Sequence, residues 1–249
     1  MSSAPQISVI LCSYNGARTV GRALESVYQQ TMASDRYEVV FVNDGSVDQT
    51  EEIVSVFRRY ENFRYVKHPM NQGLCASCNR GVREARGTYL IRLDADDRFE
   101  STALEQMAWP LERGLTDFVY CDRYEWIEQE DAFRYISLSP FRLFGLIAIG
   151  TMMRRSMVLA IGGYRELFWE EYDLYLRYLL ESGKPPYHIA KALLTYTIRP
   201  GSMSTDMAKA HAGWSQLRRL WSTDRLGSFA AEFSAHLGQV TQETRRAID

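Results

Sequence analysis

The sequence has little of several features that mark common classes of protein. Only four cysteines occur among 249 residues, at Cys12, Cys75, Cys78 and Cys121. So small a number argues against a disulfide-dense secreted scaffold. The formal net charge is −2, from 29 basic and 31 acidic residues. This near balance argues against a nucleic-acid partner, because non-specific binding to phosphates needs a basic surface.

Long apolar runs and a leader segment are also lacking. The most apolar stretch, residues 143–153, is only 11 residues long, whereas a helix that spans a bilayer needs about 20 residues. Residues 1–6 are polar and carry no apolar core of a secretory signal. We therefore expect no transmembrane segment, and a location in the cytoplasm or peripherally at a membrane.

The signature motifs of several enzyme classes are missing as well. The patterns GxGxxG, GxxxxGK[ST], HExxH and GxSxG do not occur, so a dinucleotide, P-loop, zinc-protease or serine-hydrolase site is not indicated. Cys75 and Cys78 have the CxxC spacing, but no second pair of metal ligands accompanies them. Cys78 also falls on the apolar stripe of a predicted helix, which favours a packing role.

What the sequence does contain is an alternation of strand and helix patterns over its first 116 residues. The predicted strands are residues 7–12, 38–42, 63–66 and 89–93. Stretches with apolar residues at helical spacing separate them, and such units predict a mostly parallel sheet covered by helices. Because ligands bind at the carboxyl ends of strands in such sheets, residues 13–16, 43–46 and 94–97 should converge on one crevice.

The pattern changes after residue 117. The strands predicted there are residues 118–121, 124–127, 133–136, 147–153 and 189–198. A helix is predicted over residues 169–180, and the tail from Ser204 reads as two helices. The tail carries an amphipathic apolar stripe, formed by Leu226, Phe229, Phe233, Leu237 and Val240. Six basic and five acidic residues in the tail are too balanced for an electrostatic membrane anchor, so the stripe should pack on the domain or form a homo-oligomer.

Two acidic clusters are candidates for chemistry. Asp94, Asp96 and Asp97 follow an apolar strand, and their mutual repulsion is unfavourable without a cation. Such ligands suit Mg²⁺ or Mn²⁺ shared with substrate phosphates, although a solvated acidic turn is the alternative. Glu170 and Glu171 open a predicted helix, where opposition to the helix dipole is in itself a sufficient structural reason for them.

Taken in order, these segments resemble the family 2 glycosyltransferases, which have the GT-A fold. The segments that carry the resemblance are residues 7–16, 24–31, 43–50, 71–74, 79–81, 85–87, 93–97, 161–164, 170–177 and 199–204. Each motif is weak alone, whereas the ordered set is specific.

The resemblance implies an α/β GT-A fold, with a Rossmann-like, mostly parallel sheet flanked by helices and a C-terminal helical extension. The glycosyltransferase domain would span residues 1–204, divided into a nucleotide-sugar half at 1–116 and an acceptor half at 117–204, with the extension at 205–249. The implied reaction is an inverting transfer from a nucleotide-diphosphate sugar to a hydroxyl of a glycan, lipid-linked or other acceptor. A divalent cation, Mn²⁺ or Mg²⁺, is the implied cofactor.

The resemblance also assigns roles to single residues. Those implied to bind the nucleotide sugar are Ser13, Tyr14, Asn15, Asp44, Asp94, Ala95, Asp96 and Arg199. Within this set Asp94 would lie by the ribose, and Asp96 would bind the metal on the diphosphate. Glu171 stands where the family usually has its aspartate base, with Trp169 and Glu170 on the acceptor side. Its place at a helix N-terminus favours the ionised carboxylate that a base needs.

Three departures from the family pattern bear on these roles. Glu171 is one methylene longer than the usual aspartate, Cys78 stands where an arginine is common, and Arg199 replaces a frequent histidine. Arginine can pair with a phosphate but cannot ligate a metal. The longer Glu171 side chain leaves open a catalytically impaired module that binds nucleotide sugar.

A GT-A-like nucleotidyltransferase is a further alternative. It would need a glycine-rich and basic loop for a triphosphate, whereas residues 13–18 are poor in both types of residue. Product analysis separates the three classes, since they would yield sugar transfer, binding alone or release of pyrophosphate.

Overall fold

The computed structural model describes residues 4–200 and 207–246, and it describes side chains in these ranges except at 207 and beyond 238. The strands of this part of the chain are β1 (Ile7–Ser13), β2 (Tyr37–Asn43), β3 (Phe63–Lys67), β4 (Tyr89–Asp94), β5 (Arg98–Phe99), β6 (Phe118–Ile127), β7 (Ala132–Ile136), β8 (Thr151–Arg154) and β9 (Tyr187–Ile198). The helices are α1 (Val20–Tyr28), α2 (Thr50–Ser55), α3 (Leu74–Glu84), α4 (Ala103–Glu112), α5 (Arg155–Ala160), α6 (Glu170–Ser182), α7 (Met207–Leu220), α8 (Thr223–Leu226) and α9 (Ala230–Arg246). Short 3-10 turns occupy residues 56–59, 143–145 and 227–229.

The described strands form one mixed sheet in the order β3-β2-β1-β4-β8-β6-β9-β5, with β7 paired to the outer half of β6. The first half is parallel, because β1 pairs with β2 and β4, and β2 pairs with β3, all in the same direction. β8 runs antiparallel to both β4 and β6 and so joins this half to the second. The predicted mostly parallel sheet flanked by helices is confirmed.

The core has two layers because side chains alternate between the two faces of each strand. Val9, Leu11 and Ile91 face one layer, which also contains Leu24 of α1 and Leu104 of α4. Ile10, Val40 and Leu90 face the other layer, which α3 and α6 cover with residues such as Val82, Tyr175 and Tyr178. Burial of each such side chain contributes about 1.5–3 kcal/mol, so strand order and helix placement are fixed together.

The C-terminal helices pack on the second layer of the core. Trp214 and Leu217 of α7 are 6% and 0% exposed, Trp221 directly after this helix is 4% exposed, and Phe233 of α9 is 3% exposed. Trp214 stacks on Tyr172 of α6 with ring centroids 5.2 Å apart. The predicted amphipathic stripe therefore packs on the domain from Leu226 to Leu237, whereas the side chain of Val240 lies outside the described residues.

Several element boundaries differ from the sequence prediction. β6 is continuous where two strands were predicted, because the buried Asp122 between them accepts hydrogen bonds from Leu138 N at 2.7 Å and pairs with His188 Nε2 at 2.7 Å. Of the predicted strand 147–153, only residues 151–153 are a strand, and the strand runs on to Arg154. The carbonyls of Ile147 and Ala148 instead accept bonds from the Tyr175 hydroxyl. The predicted domain boundary at Ser204 lies outside the described residues.

Candidate active site

An open cleft of about 710 Å³ lies at the carboxyl ends of β1 and β4. The loops after these strands form its donor side, and the start of α6 together with the end of β9 forms the facing side. Ten of the eleven predicted site residues line it: Ser13, Tyr14, Asn15, Asp94, Ala95, Asp96, Trp169, Glu170, Glu171 and Arg199. The eleventh, Asp44, lines an adjoining recess that shares Ser13 and Tyr14 with the cleft.

The loops after β1, β2 and β4 meet, as the strand-end argument predicted. Asn15 N donates to Ser46 Oγ at 3.0 Å, and Val47 N donates to Asn15 Oδ1 at 3.0 Å. A Cβ on Gly16 would lie 2.2 Å from Ser13 Oγ and 3.6 Å from Ala95 Cβ. The glycine thus leaves room for the Ser13 hydroxyl, and the first loop lies in van der Waals range of Ala95 in the third.

Asp44 is 3% exposed and organises the backbone beside the cleft. Its Oδ1 accepts a bond from Gln72 N and its Oδ2 accepts one from Gly73 N, both at 2.9 Å. His68 Nδ1 lies 2.8 Å from Oδ1. Gly45, with φ of +73°, lets this turn lie against the Met70 backbone, where a Cβ would come within 2.4 Å. The carboxylate thus orders the recess wall, and its role toward a nucleoside remains a prediction.

Each of the three clustered aspartates has its own means of avoiding repulsion. Asp94 accepts from Arg92, with Nε to Oδ1 at 2.6 Å and Nη2 to Oδ2 at 3.0 Å. Asp96 pairs with Arg199. Asp97 is 2% exposed, and its Oδ1 accepts from Thr197 N at 2.7 Å. Cationic partners therefore balance two of the carboxylates before any metal is considered.

Burial also shifts the pKa values of two of these aspartates, Asp96 and Asp97. Burial and the charges of Asp96 and Asp94 raise the pKa of Asp97 well above its usual range. Burial and Asp94 also raise the pKa of Asp96, although Arg199 opposes that shift. Asp97 is thus a buried structural residue, whereas Asp96 faces the cleft with a cationic partner.

A divalent cation in this cleft would be bound by carboxylates. Within residues 4–200 and 207–246, no group of three or more histidine, cysteine, aspartate or glutamate side chains is arranged to hold a metal alone. Mg²⁺ and Mn²⁺ do not require one, because they are commonly held by one or two carboxylates together with substrate phosphates and water. Asp96, at the edge of the cleft, fits that smaller requirement when a diphosphate supplies the other oxygens.

The acidic start of α6 is buried. Glu170 and Glu171 are 2% and 7% exposed, and Glu170 Oε1 accepts a bond from Arg92 Nη1 at 2.8 Å. Burial, and next the charge of Glu170, raise the pKa of Glu171 well above its usual range. Burial therefore opposes the ionised carboxylate that the helix N-terminus favours, and the role of Glu171 as a base stays a prediction.

Helix α7 packs against the residues that begin this acidic segment. Trp169 Nε1 donates to Ala210 O at 3.1 Å, and the Trp169 and Trp214 rings lie 5.1 Å apart. A Cβ on Gly213 would come within 2.9 Å of Phe168 and Trp169. Asp173, one turn further on, is fully buried and accepts from Trp221 Nε1 at 3.0 Å. Trp169 is thus placed at the cleft wall by the C-terminal extension.

Sequence reasoning missed Arg92 as a site residue, since it lies inside an apolar run predicted only as a strand. The available signal was its position two residues before Asp94, which puts both side chains on the same face of β4. The packing role predicted for Cys78 is confirmed, because this residue is 1% exposed and its Sγ lies 3.9 Å from that of Cys12.

Solved structures share this arrangement of strands and helices. The S. aureus protein TarS in complex with UDP-GlcNAc superposes with a TM-score of 0.74 at 20% identity, over 92% of this chain and 71% of that one. The mannosyltransferase PcManGT from Pyrobaculum calidifontis, in complex with GDP-Man and Mn²⁺, gives a TM-score of 0.71 at 14% identity, over 97% and 76%. The fold is therefore that of the GT-A glycosyltransferases.

Sequence relatives lead to the same class. An uncharacterized glycosyltransferase of Haemophilus influenzae is 30% identical over 85% of this chain and 76% of its own length. The cholesterol galactosyltransferase of Borreliella burgdorferi is 25% identical over 83% of this chain and 64% of its own length. The model of glycosyl transferase family 2 matches residues 8–175, and the chain belongs to that family.

Two further facts limit what the family assignment says about the protein. The chain spans between 33% and 64% of the length of three of the curated relatives that it matches. Over the described ranges, none of the helices combines the length and the apolar character that a bilayer crossing requires.

Proposed function

We propose that the protein transfers a sugar from a nucleotide-diphosphate sugar to an acceptor hydroxyl, with inversion at the anomeric carbon and with a divalent cation. The observation that carries this proposal is the composition of the cleft. Its donor side presents Ser13, Tyr14 and Asn15 beside Asp94 and Asp96. The buried carboxylate of Glu171 lies on the facing side of the same cleft, as an attack opposite to the leaving group requires.

On the donor side, Ser13, Tyr14 and Asn15 hold the nucleoside. Asp94, oriented by its bidentate bonds to Arg92, accepts hydrogen bonds from the ribose hydroxyls. Arg199, with its guanidinium at the mouth of the cleft, pairs with the diphosphate. These contacts fix the donor so that its anomeric carbon points to the acceptor side, and such positioning is a large part of catalysis by most transferases.

On the acceptor side, Glu171 accepts the proton of the attacking hydroxyl. The acceptor oxygen forms its bond to the anomeric carbon while the bond from that carbon to the diphosphate oxygen breaks, and the nucleoside diphosphate leaves. One carboxylate base is enough because the leaving group needs no protonation. A raised pKa makes Glu171 a stronger base once it has ionised, so activity should require a pH above the usual glutamate range.

The cation belongs with Asp96. When bound there with the donor, it acts as a Lewis acid that stabilises the negative charge developing on the departing diphosphate. Its identity as Mn²⁺ or Mg²⁺ follows from the preference of both ions for oxygen ligands. The Mn²⁺ in the PcManGT complex supports this proposal.

For the acceptor we propose a glycan or a lipid-linked glycan, used in the cytoplasm or at a membrane surface. Two relatives are named as a poly-β-1,6-N-acetyl-D-glucosamine synthase and a cholesterol galactosyltransferase, so the names of similar proteins include a glycan product and a lipid acceptor. The homo-oligomer through the C-terminal helices stays a prediction.

A module that binds nucleotide sugar without transferring it is the second candidate. It is favoured by one observation, which is the burial of Glu171 and the resulting preference for its protonated form. Such a module would keep the donor contacts and lack the base.

A thermal-shift screen of nucleotide sugars with and without Mn²⁺, followed by product analysis of the best donor, tests the proposal. A metal-dependent rise in Tm together with formation of a glycosylated product is the expected result, since a ligand of the native state stabilises it. Binding without product would favour the second candidate. Release of pyrophosphate from a nucleoside triphosphate would indicate a nucleotidyltransferase, and no binding of any nucleotide sugar would contradict the proposal.

A further inference from the structure

Arg92 bonds to both sides of the cleft at once. Two of its nitrogens donate to the two carboxylate oxygens of Asp94, at 2.6 and 3.0 Å, and the third donates to Glu170 Oε1 at 2.8 Å. Asp94 ends β4, whereas Glu170 begins α6. A single planar guanidinium therefore connects the end of the central parallel sheet to the first turn of the helix on the facing side.

Two of the three residues of this clamp are buried, which makes it stiff. Arg92 is 7% exposed and Glu170 is 2% exposed, whereas the Asp94 side chain is 28% exposed. Charged groups taken out of water are tolerated only when they are paired with good geometry, and bidentate guanidinium–carboxylate bonds have a fixed planar arrangement. Loss of Arg92 would leave Glu170 as a buried carboxylate without its cationic partner, so the start of α6 would have to rearrange.

Glu171 follows directly in this first turn, and the clamp contributes to its electrostatic surroundings. Burial raises the pKa of Glu171 most, the charges of Glu170 and Asp94 raise it further, and the charge of Arg92 lowers it. The other charged pair on this part of the cleft wall, Arg123 and Glu125 of β6, is internally compensated by a 3.0 Å bond.

We propose that Arg92 is a positioning residue for the transfer reaction, because its simultaneous bonds to Asp94 and Glu170 fix the start of α6, and with it Glu171, against the donor end of the cleft. The inference rests on the proposed function, in which Glu171 is the base. In this role Arg92 acts through the two carboxylates that it holds, Asp94 and Glu170.

The test compares the wild type with Arg92→Lys and Arg92→Met in steady-state transfer assays across pH, with Tm measured for each protein. Arg92→Lys keeps the charge and loses the bidentate geometry, so kcat should fall by about 100-fold, as a displacement of about 1 Å can cause. The donor KM should rise as well, because Asp94 loses the bonds that orient it, but by a smaller factor than kcat falls. Arg92→Met should lose a similar factor in kcat, and its acidic limb should also move to higher pH, because Glu171 no longer has a cation nearby.

A matched control is Arg154→Met. Arg154 lies on β8 at the opposite end of β4 from the cleft and is ion-paired with Asp117. This variant should lose stability while keeping the wild-type kcat and pH profile. Glu170→Gln provides a coupling test, since the effect of Arg92→Met should be smaller in that background than in the wild type if the arginine acts through Glu170.

The outcomes separate the inference from the function on which it rests. A wild-type protein that transfers no sugar would overturn both. With an active wild type, a native kcat in Arg92→Lys would overturn the positioning role even if Arg92→Met failed to fold. The same loss of kcat in Arg154→Met, or fully additive effects of Arg92→Met and Glu170→Gln, would assign Arg92 to general stability instead.

Discussion

The guanidinium of Arg199 donates through two nitrogens, Nε at 3.0 Å and Nη2 at 2.9 Å, to one oxygen, Oδ2 of Asp96. The side chains are 33% and 23% exposed, and ion pairs open to water in this way contribute at most about 1 kcal/mol. The bond is therefore a replaceable contact. A divalent cation competes with Arg199 for Asp96, and the diphosphate of a donor competes with Asp96 for Arg199.

Asp96→Asn should abolish the metal-dependent part of nucleotide binding and leave the protein folded. The amide keeps the size of the side chain but removes the charge that a divalent cation needs, and only a weak ion pair is lost with it. Calorimetric titration of UDP and GDP with and without Mn²⁺ measures the effect, and circular dichroism checks the fold. Metal-dependent affinity equal to that of the wild type would reject Asp96 as the cation ligand.

Arg199→Met should change metal and nucleotide binding in opposite directions. Without its cationic competitor, Asp96 should take up Mn²⁺ at concentrations up to about fivefold lower, in line with an exposed pair worth up to about 1 kcal/mol. Nucleotide binding in EDTA should weaken, because the diphosphate loses its guanidinium partner. A variant that loses both metal-dependent and metal-free binding would instead make Arg199 essential to the shape of the site.

The convergence of the donor loops was predictable from the sequence because it follows from a simple rule. Parallel strands place their carboxyl ends at one edge, so the polar residues after β1, β2 and β4 had to meet there. The strand-end rule does not place Asp96 and Arg199 in one cleft, because 103 residues separate them. Only the family resemblance predicted that they share it. Their direct pairing depends on the path of β9, which no local pattern encodes.

Arg92 and Glu170 illustrate what the sequence could not supply. One arginine inside the apolar run of β4 has no periodic signal, and its partner Glu170 lies 78 residues away. The direction of the pKa shift of Glu171 was missed for a similar reason. A helix N-terminus can be recognised locally, whereas burial of this first turn depends on tertiary packing, in which Trp214 of α7 packs against Trp169 and Tyr172.

Gly213→Ala should lower both stability and transfer without affecting nucleotide binding. The added methyl group would meet Phe168 and Trp169 at 2.8–2.9 Å, and overpacking of this kind costs about 1–3 kcal/mol. A displaced Trp169 would alter the acceptor wall of the cleft. The control is Gly238→Ala on α9, where the new methyl group meets nothing within 4 Å and the helix should gain about 0.5–1 kcal/mol. Equal kcat in both variants would contradict a role for α7 in shaping the site.

Glu171→Gln should stabilise the protein, and increasingly so as pH rises. The pKa of Glu171 is raised in the native state, so above the usual glutamate range the native state binds more protons than the unfolded state does. Stability contributed by such a group falls with rising pH. The glutamine variant escapes this penalty, so its Tm advantage over the wild type should be larger at pH 8 than at pH 5. A Tm difference that is constant with pH would show that Glu171 titrates normally.

The same variant gives the sharpest test of catalysis, because the structure distinguishes three neighbouring carboxylates. Glu171→Gln should reduce kcat on the order of 10²–10⁴-fold, as expected for loss of a general base, while nucleotide affinity holds because the donor contacts lie on the other wall. Glu170→Gln should act through Arg92 and reduce kcat less. Asp173→Asn should chiefly lower Tm, since Asp173 is fully buried against Arg177 and Trp221. Native transfer by Glu171→Gln alongside an inactive Glu170→Gln would move the base to Glu170, and native transfer by all three variants would remove the base from this helix.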